Sequence, residues 1–194
     1  MEKKKQRKLI IMQSLAAMLE ERDLLKVTTA ELAKRSEITE AAIYKHFPSK
    51  RKIFEELVVF FEESIFTRIK VMKEESKPED FPGQLIALVL KFCETNKGFS
   101  RILTREVFTA DEVKIIDKVS NCFEKINIEI RQSLQEYERT TKKKLNLNLA
   151  ASFDLILSCL EGQIQSLVRS KLKKDLSGSW EDQWNFLKKA IFAN

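Results

Sequence analysis

The sequence predicts an all-α protein with a short three-helix head at its N-terminus and a larger helical body, about nine helices in all. Of its 194 residues only four are Gly and three are Pro, whereas the helix-favouring residues Leu, Lys and Glu abound. Apolar residues recur at the three- and four-residue spacing of a buried helix face along most of the chain. The breaks between these stretches are few and short, which favours helices packed on helices.

Breaks in the apolar pattern give the expected bounds of each helix. The first helix is predicted from about Lys5 to Arg22, and the long fourth helix from about Lys50 to Ser76, passing from the head into the body. Residues 77–83 form the first clear loop, Gly98 marks a corner, and Asp111 is expected to cap the seventh helix. The other helices are predicted at about 29–35, 40–47, 84–95, 99–108, 112–139, 147–172 and 180–192, the last after a turn at Ser177-Gly178-Ser179. The buried stripe of the seventh helix is taken to be Val113, Ile116, Val119, Phe123, Ile126 and Ile130.

A helix-turn-helix unit is predicted early in the chain. Thr28 and Glu31 have the spacing of a capping box, which starts a short helix. Ser36-Glu37-Ile38 makes a tight turn, and Thr39 caps a second short helix. Pro48 prevents that helix from continuing, because the residue before a proline avoids the α region. Two helices joined by a three-residue turn can seat the second helix in the major groove of DNA.

The charge distribution favours the same interpretation. Residues 1–52 carry 13 Lys and Arg against 7 Asp and Glu, whereas residues 53–194 carry 22 of each. The whole net charge of +6 therefore lies in the segment with the helix-turn-helix unit, as in a protein that binds phosphates. We take residues 1–52 as the DNA-binding domain and 53–194 as a dimerisation and partner-binding domain. Taken alone, the basic run Lys3–Lys8 is better explained as a solvated face or tail.

The candidate contacts to double-stranded DNA follow from position. Recognition helices contact base edges with their N-terminal residues, so Thr39, Glu40 and Ala41 are the expected base contacts. Thr28 and Lys50 lie near helix N-termini, where anions are favoured. Helix capping is an alternative role for Thr28 and Thr39, and packing is an alternative role for Tyr44. The full set of candidates is Thr28, Thr29, Thr39, Glu40, Ala41, Tyr44, Lys45, His46 and Lys50, with Tyr44 and His46 expected at phosphates and Lys45 at either.

Two motifs in the head resemble the DNA-binding domain of the TetR family of bacterial regulators. They are T-x-x-x-L-A, beginning at Thr28, and A-x-Y-x-H-F-P-S-K, from Ala42 to Lys50. The family usually has a glycine in the turn, where this chain has Glu37. A left-handed Glu37 would cost on the order of 1–2 kcal/mol. The resemblance implies a homodimer that binds palindromic sites.

Four further stretches resemble the nucleoid occlusion factors within that family and reach across nearly the whole chain. They are MQSLAAMLE (12–20), FPSKRKIFEELVVFFEESIFTRI (47–69), FCETNKGFSRILT (92–104) and CLEGQIQSLVRS (159–170), the last followed by Trp184. The resemblance implies a DNA-bound dimer that antagonises the tubulin-like division GTPase FtsZ, so that septa do not close over the nucleoid. A cytoplasmic, nucleoid-associated protein is implied.

In those proteins the C-terminal tail of FtsZ docks between the fourth and fifth helices. The matching positions here are Phe60, Arg68, Leu88 and Asn96. Two neighbours depart from the family pattern, with Lys91 in place of its glycine and Thr95 in place of its arginine. Core packing is the alternative for the two apolar positions. Arg68 has no acidic residue one turn away on its own helix to pair with, and it lies 18 residues beyond Lys50, roughly 27 Å along a helix at about 1.5 Å per residue.

The last two helices are predicted to form the dimer contact. Gly162 in mid-helix costs roughly 1 kcal/mol relative to Ala, which the close approach of another backbone would explain. Trp180 and Trp184 lie one turn apart, as anchors at contacts often do. The alternative is that these side chains pack inside one subunit. The candidate interface residues are Phe153, Leu160, Gly162, Ile164, Leu167 and Trp184.

Other functions have little support in the sequence. His46 is the only histidine, which excludes a His-based triad or an HExxH metal motif. The three cysteines are far apart and odd in number, so neither a disulfide framework nor a metal site is expected. No membrane segment, signal peptide, cofactor, small-molecule ligand or enzymatic activity is expected. Two alternatives stay open: an architectural DNA-binding protein without a partner, and a ligand-responsive repressor whose pocket would be lined by Phe92, Phe99, Phe108, Phe123 and Phe153.

Overall fold

The computed structural model describes residues 2–21, 27–176 and 178–193, and the described chain is all-α, as predicted. Its helices are α1 (Glu2–Glu21), α2 (Thr29–Arg35), α3 (Glu40–His46), α4 (Lys50–Glu75), α5 (Phe81–Thr95), α6 (Lys97–Leu103), α7 (Val113–Thr141), α8 (Leu149–Arg169) and α9 (Trp180–Ile191). Within those residues the only β-type pairing is an isolated bridge between Leu145 and Phe192. None of the described helices is long and apolar enough to cross a membrane. The predicted first-helix end at Arg22 and the turn residue Ser177 lie outside the described residues.

Three predicted boundaries in the middle of the chain are wrong. Helix α5 begins at Phe81 rather than Gln84, because Pro82 in a first turn loses no intrahelical hydrogen bond. Helix α6 begins at Lys97, so Gly98 lies inside it and not at a corner, and it ends at Leu103 instead of Phe108. The N-cap of α7 is not Asp111. The residue before α7 is Glu112, whose carbonyl accepts from the Ile116 N–H at 3.2 Å.

The buried face of α7 also differs from the predicted one. Val113 is 56% exposed, whereas Ile115 is fully buried. The helix starts later than the predicted cap implies, and the packed neighbours decide which apolar positions point inward. Val119, Ile126 and Ile130 are buried as predicted.

The first compact unit comprises Met1–Glu62 and Asn96–Val119. It therefore includes α1 to α3, the first half of α4, and α6, and its core includes Leu15, Ile43, Phe61 and Phe99. Helix α6 packs closely on α1. A Cβ added to Gly98 would lie 2.2 Å from the carbonyl oxygen of Ala16, which only a residue without a side chain permits.

The second unit comprises Glu63–Thr95 and Ser120–Asn194. Its α5 packs on α8 and α9. A Cβ added to Gly83 would lie 2.2 Å from Nε1 of Trp184, and Nε1 of Trp180 donates to the Gly83 carbonyl at 2.9 Å. The two tryptophans stack with ring centroids 6.2 Å apart. These rings hold α9 against α5 inside the chain.

Candidate functional site

The turn of the helix-turn-helix unit contains a residue in a strained, left-handed conformation. Glu37 has a φ of 54°, in the left-handed region, where the related proteins are expected to have glycine. The strain is about 1–2 kcal/mol, and backbone hydrogen bonds hold the turn. The N–H of Glu37 donates to the Lys34 carbonyl at 3.2 Å, and that of Ile38 to the Ala33 carbonyl at 3.0 Å.

Side-chain caps start both short helices, as predicted. The Thr28 hydroxyl accepts from the N–H of Glu31 at 3.2 Å, and the Thr39 hydroxyl accepts from that of Ala42 at 3.1 Å. Ile43 is fully buried and anchors α3 to the core. The first residues of α3 consequently face solvent: Thr39, Glu40 and Ala41 are all exposed.

The candidate phosphate contacts differ in their exposure and in their hydrogen bonds. Tyr44 is 49% exposed, and its hydroxyl donates to that of Thr29 at 3.5 Å. Lys45 is exposed. Lys50 is half-buried: its ammonium donates to the Val27 carbonyl, and burial lowers its pKa, an effect that the charge of Glu112 opposes. The free chain therefore already engages the Lys50 ammonium at the start of α2.

His46 ends α3 in a cationic environment. Its pKa lies below the usual value, first because of burial and then because of Lys4, Lys8 and Arg7 on α1. Its Nδ1 is buried and has no hydrogen-bond partner among the described residues. The sequence interpretation of the basic run as a solvated face or tail missed this proximity, because residues 4–8 belong to helix α1.

The residues that match the family's partner groove divide between the two units. In the first unit, Phe60 is 39% exposed and its ring centroid lies 6.3 Å from that of Phe99. Asn96 in the same unit precedes α6 and is half-buried. In the second unit, Arg68 is exposed and Leu88 is half-buried.

Arg68 lines an open cavity of about 580 Å³. The other lining residues are Thr67, Val71, Met72, Glu75, Ser76 and Gln84. One guanidinium nitrogen donates to the Ser64 carbonyl at 2.7 Å. No ion pair with Arg68 is found among the described residues, in agreement with the sequence, so the guanidinium keeps donors for an incoming carboxylate.

Most of the predicted dimer-contact residues lie inside the chain. Leu160, Ile164 and Leu167 are fully buried and Trp184 packs on Gly83, so they have no area left to contact a second copy. They were predicted from the apolar face of α8, and within one chain α5 covers part of that face. Phe153 is half-buried with Arg131 over its ring, 4.3 Å from the centroid.

The exposed face of α8 contains Gly162, which was among the predicted contact residues, and Leu155, which the sequence interpretation missed. Gly162 is exposed, and a Cβ added to it would meet nothing within 4 Å. Leu155, seven residues earlier and so two turns away on the same side, is 37% exposed. On α9, Phe186 is 74% exposed, and Gln163 joins the two helices by donating to Gln183 at 2.9 Å. The seven-residue spacing of Leu155 and Gly162 could have indicated this face from the sequence.

A capped recognition helix on a basic three-helix head, joined to a helical body, defines a helix-turn-helix DNA-binding regulator. Residues 11–57 match the family described as bacterial regulatory proteins, tetR family. Residues 83–191 match the family described as tetracyclin repressor-like, C-terminal domain, of the SlmA-like type.

Two curated relatives cover nearly the whole chain. The nucleoid occlusion factor SlmA of Marinomonas sp. (strain MWYL1) is 35% identical over 193 residues, 99% of this chain and 98% of its own length. That of Shewanella pealeana is 37% identical over 182 residues, 93% of this chain and 92% of its own length. The chain therefore belongs to the TetR family and, within it, to the SlmA family of nucleoid occlusion factors.

A solved structure has the same fold. The transcriptional regulator FadR from Bacillus subtilis, in complex with stearoyl-CoA, aligns with a TM-score of 0.74 at 15% identity, covering 95% of this chain and 99% of its own. The likeness at this identity concerns the fold alone.

Proposed function

We propose that this protein is a nucleoid occlusion factor: a homodimer that binds palindromic chromosomal sites and, while bound there, antagonises FtsZ polymers. The observation that carries the proposal is the identity of 35–37% to SlmA proteins over more than nine-tenths of the chain. Such a protein would act in the cytoplasm, at the nucleoid.

Contact with DNA is assigned to the exposed start of α3. Thr39, Glu40 and Ala41 meet the base edges in the major groove, and Lys45 lies on the same exposed helix. The buried anchor Ile43 and the cap on Thr39 hold this helix in one orientation before DNA arrives. Thr28, Thr29, Tyr44, His46 and Lys50 are assigned to the backbone, where contacts position the protein without selecting a sequence.

The contact with a second copy of the protein is assigned to the exposed face of α8 and α9. Palindromic sites require a two-fold protein, and an isologous contact needs one patch that complements itself. Gly162 permits close approach of two backbones, Leu155 supplies exposed apolar area two turns away on the same side of α8, and Phe186 supplies exposed apolar area on α9. Phe153, nine residues before Gly162, lies on the opposite side of α8, where Arg131 covers its ring, so this predicted contact residue is not part of the patch.

The tail of FtsZ is assigned to the surface that bears Arg68. Its exposed guanidinium has no acidic partner among the described residues, and the 56% exposed side chain of Val71 lines the same cavity. A peptide with one carboxylate and neighbouring apolar side chains fits such a surface. Phe60, Leu88 and Asn96 are proposed to contribute by their match to the related proteins.

The decisive experiment is co-sedimentation of FtsZ polymers from the same organism. FtsZ is pelleted with GTP alone, with the protein, and with the protein plus a duplex enriched by the protein from chromosomal fragments. Loss of pelleted FtsZ only when the enriched duplex is present supports the proposal. No loss under any condition, together with release of DNA on adding a small hydrophobic molecule, would favour the ligand-responsive repressor instead.

Arg68→Asp separates the two halves of the function. Breaking a desolvated charge pair costs on the order of 2–5 kcal/mol, which is enough to abolish a micromolar contact. The spacing along the helix puts Arg68 well beyond a Debye length of about 8 Å from Lys50, so binding to the enriched duplex is expected to be unchanged.

Lys70→Asp is the matched control for Arg68→Asp. Lys70 is exposed on the same helix and does not line the cavity, so the same change of charge there is expected to leave both activities intact. Antagonism of FtsZ that survives in Arg68→Asp would refute the assignment of this surface.

A further inference from the structure

The first two turns of α1 form a cationic face beside the end of the recognition helix. Lys4, Arg7 and Lys8 are spaced i, i+3 and i+4, and therefore project from one side of α1. All three lie close enough to His46 to lower its pKa. The Lys8 ammonium also lies 5.1 Å from the centroid of the Phe47 ring, the residue that follows His46.

These three cations have no acidic partner among the described residues. Positions three and four residues beyond Lys8 on α1 are Ile11 and Met12, both buried, so the same face supplies no carboxylate. Like charges one turn apart repel each other on a helix. A concentration of positive charge without internal compensation is the electrostatic complement of a phosphate.

His46 adds a hydrogen-bond donor to this cluster of three cations. Its Nδ1 is buried without a hydrogen-bond partner in the part of the chain that the structure describes. A proton on Nδ1 would be a buried donor without an acceptor, which is unfavourable. We therefore assign the proton of the neutral ring to Nε2, from which the imidazole can donate to an anion without adding charge.

We propose that Lys4, Arg7 and Lys8 of α1 together with His46 of α3 form a binding site for the DNA backbone, in which His46 is an uncharged donor to a phosphate. The inference rests on the proposed DNA binding and deepens it. Helix α3 spans seven residues, or roughly 10 Å at about 1.5 Å per residue. Its first residues meet bases, while its last residue and α1 hold the phosphates beside the groove.

The test measures the salt dependence of binding. The probe is a 30-base-pair duplex enriched from a random pool by the parent protein, and fluorescence anisotropy gives its affinity between about 50 and 300 mM salt. Each phosphate-neutralising cation contributes a slope of about 0.9 to log K against log salt. Arg7→Ala is expected to lower the slope by about 0.9 per subunit, or about 1.8 for the homodimer. The combined change of Lys4, Arg7 and Lys8 to alanine is expected to lower it by up to about 2.7 per subunit, or about 5.4 for the homodimer.

Lys5→Ala is the control, since Lys5 is exposed on the same turn but is not among the cations that lower the pKa of His46. Its slope is expected to equal that of the parent. Alanine lengthens no side chain and favours helix, and circular dichroism verifies that α1 persists in each variant. A parental slope in both Arg7→Ala and the triple variant would overturn the site.

The role of His46 has its own readout. His46→Leu is expected to weaken binding about tenfold, and His46→Gln to recover most of that loss, because an amide nitrogen can stand near the Nε2 position. Between pH 6 and 8 the affinities of the parent and His46→Gln are expected to run in parallel. A rise in affinity on acidification that only the parent shows would mean a charged imidazole and would refute the uncharged donor.

Failure of this inference is distinguishable from failure of the proposed function. If the parent enriches no duplex from the pool, DNA binding itself is refuted. If the parent enriches a duplex and antagonises FtsZ on it, while the α1 variants keep the parental slope, only the phosphate site is refuted.

Discussion

Replacing Gly98 with Ala has two opposing effects on the stability of the protein, and their magnitudes differ. Helix propensity alone predicts a gain of at most about 0.8–1 kcal/mol, the value for a helix interior, because Gly98 lies in the first turn of α6. The structure predicts a loss, since the new Cβ would lie 2.2 Å from the Ala16 carbonyl oxygen and 3.1 Å from Cβ of Leu19. The clashing atom belongs to a backbone, so α6 must move away from α1 by roughly 1 Å, whereas packed cores resist such shifts.

The net effect of Gly98→Ala is a loss of stability. Overpacking typically costs 1–3 kcal/mol, and a contact between two backbones belongs near the upper end. After the gain in propensity, the free energy of unfolding is expected to fall by about 1–2 kcal/mol, or roughly 2–8 °C in Tm for a chain of this length. Urea and thermal unfolding at several protein concentrations separate this change from any change in dimerisation.

Gly162→Ala is the control for Gly98→Ala. The chemical change is the same and the residue is also in a helix, but nothing in the chain lies within 4 Å of the new methyl group. No loss of protomer stability is expected. A Gly98→Ala protein as stable as the parent would refute the close approach of α6 to α1.

Three further outcomes are expected. Lys50→Ala should weaken binding to all DNA sequences alike and lower the salt slope by about one unit per subunit. It also leaves the Val27 carbonyl without its donor. A loss confined to one sequence would mean that Lys50 contacts bases. Gly162→Leu should yield monomers in analytical ultracentrifugation at micromolar protein, because overpacking a close contact costs about 1–3 kcal/mol. The control Gln135→Leu, at an exposed position on α7, should leave the dimer intact. An intact Gly162→Leu dimer would place the interface elsewhere. Burial raises the pKa of the Cys159 thiol, so less thiolate is present at neutral pH. Alkylation of Cys159 should therefore reach half its maximal rate at a higher pH than alkylation of a free cysteine. An alkylation profile like that of free cysteine would contradict this burial.

The helix-turn-helix unit was predictable because its causes are local. Each cap depends on a side chain and an N–H three residues later, as Thr28 with Glu31 and Thr39 with Ala42 illustrate. The left-handed Glu37 follows from the need to close a three-residue turn. The unpaired state of Arg68 also followed from its own helix, since no acidic residue lies one turn away.

Other features were not predictable because they depend on which surfaces meet. Gly98 looks like a corner in sequence, and only the packing of α6 on α1 explains a glycine inside the helix. The apolar residues of α7 do not reveal that Ile115 is buried and Val113 exposed. Likewise a basic run at the N-terminus has the composition of a tail, and only its placement beside His46 makes it a cluster.

The sequence by itself determined that the chain is helical, that its net charge lies in the head, and that a capped recognition helix starts at Thr39. These properties arise from composition and from interactions within a few residues, which act before any tertiary contact forms. Only the tertiary structure decided which apolar side of α8 is interior. Leu160 and Ile164 are buried within the chain, whereas Gly162 between them remains at the surface, because α8 is apolar over much of its circumference and its neighbours in space select the buried side.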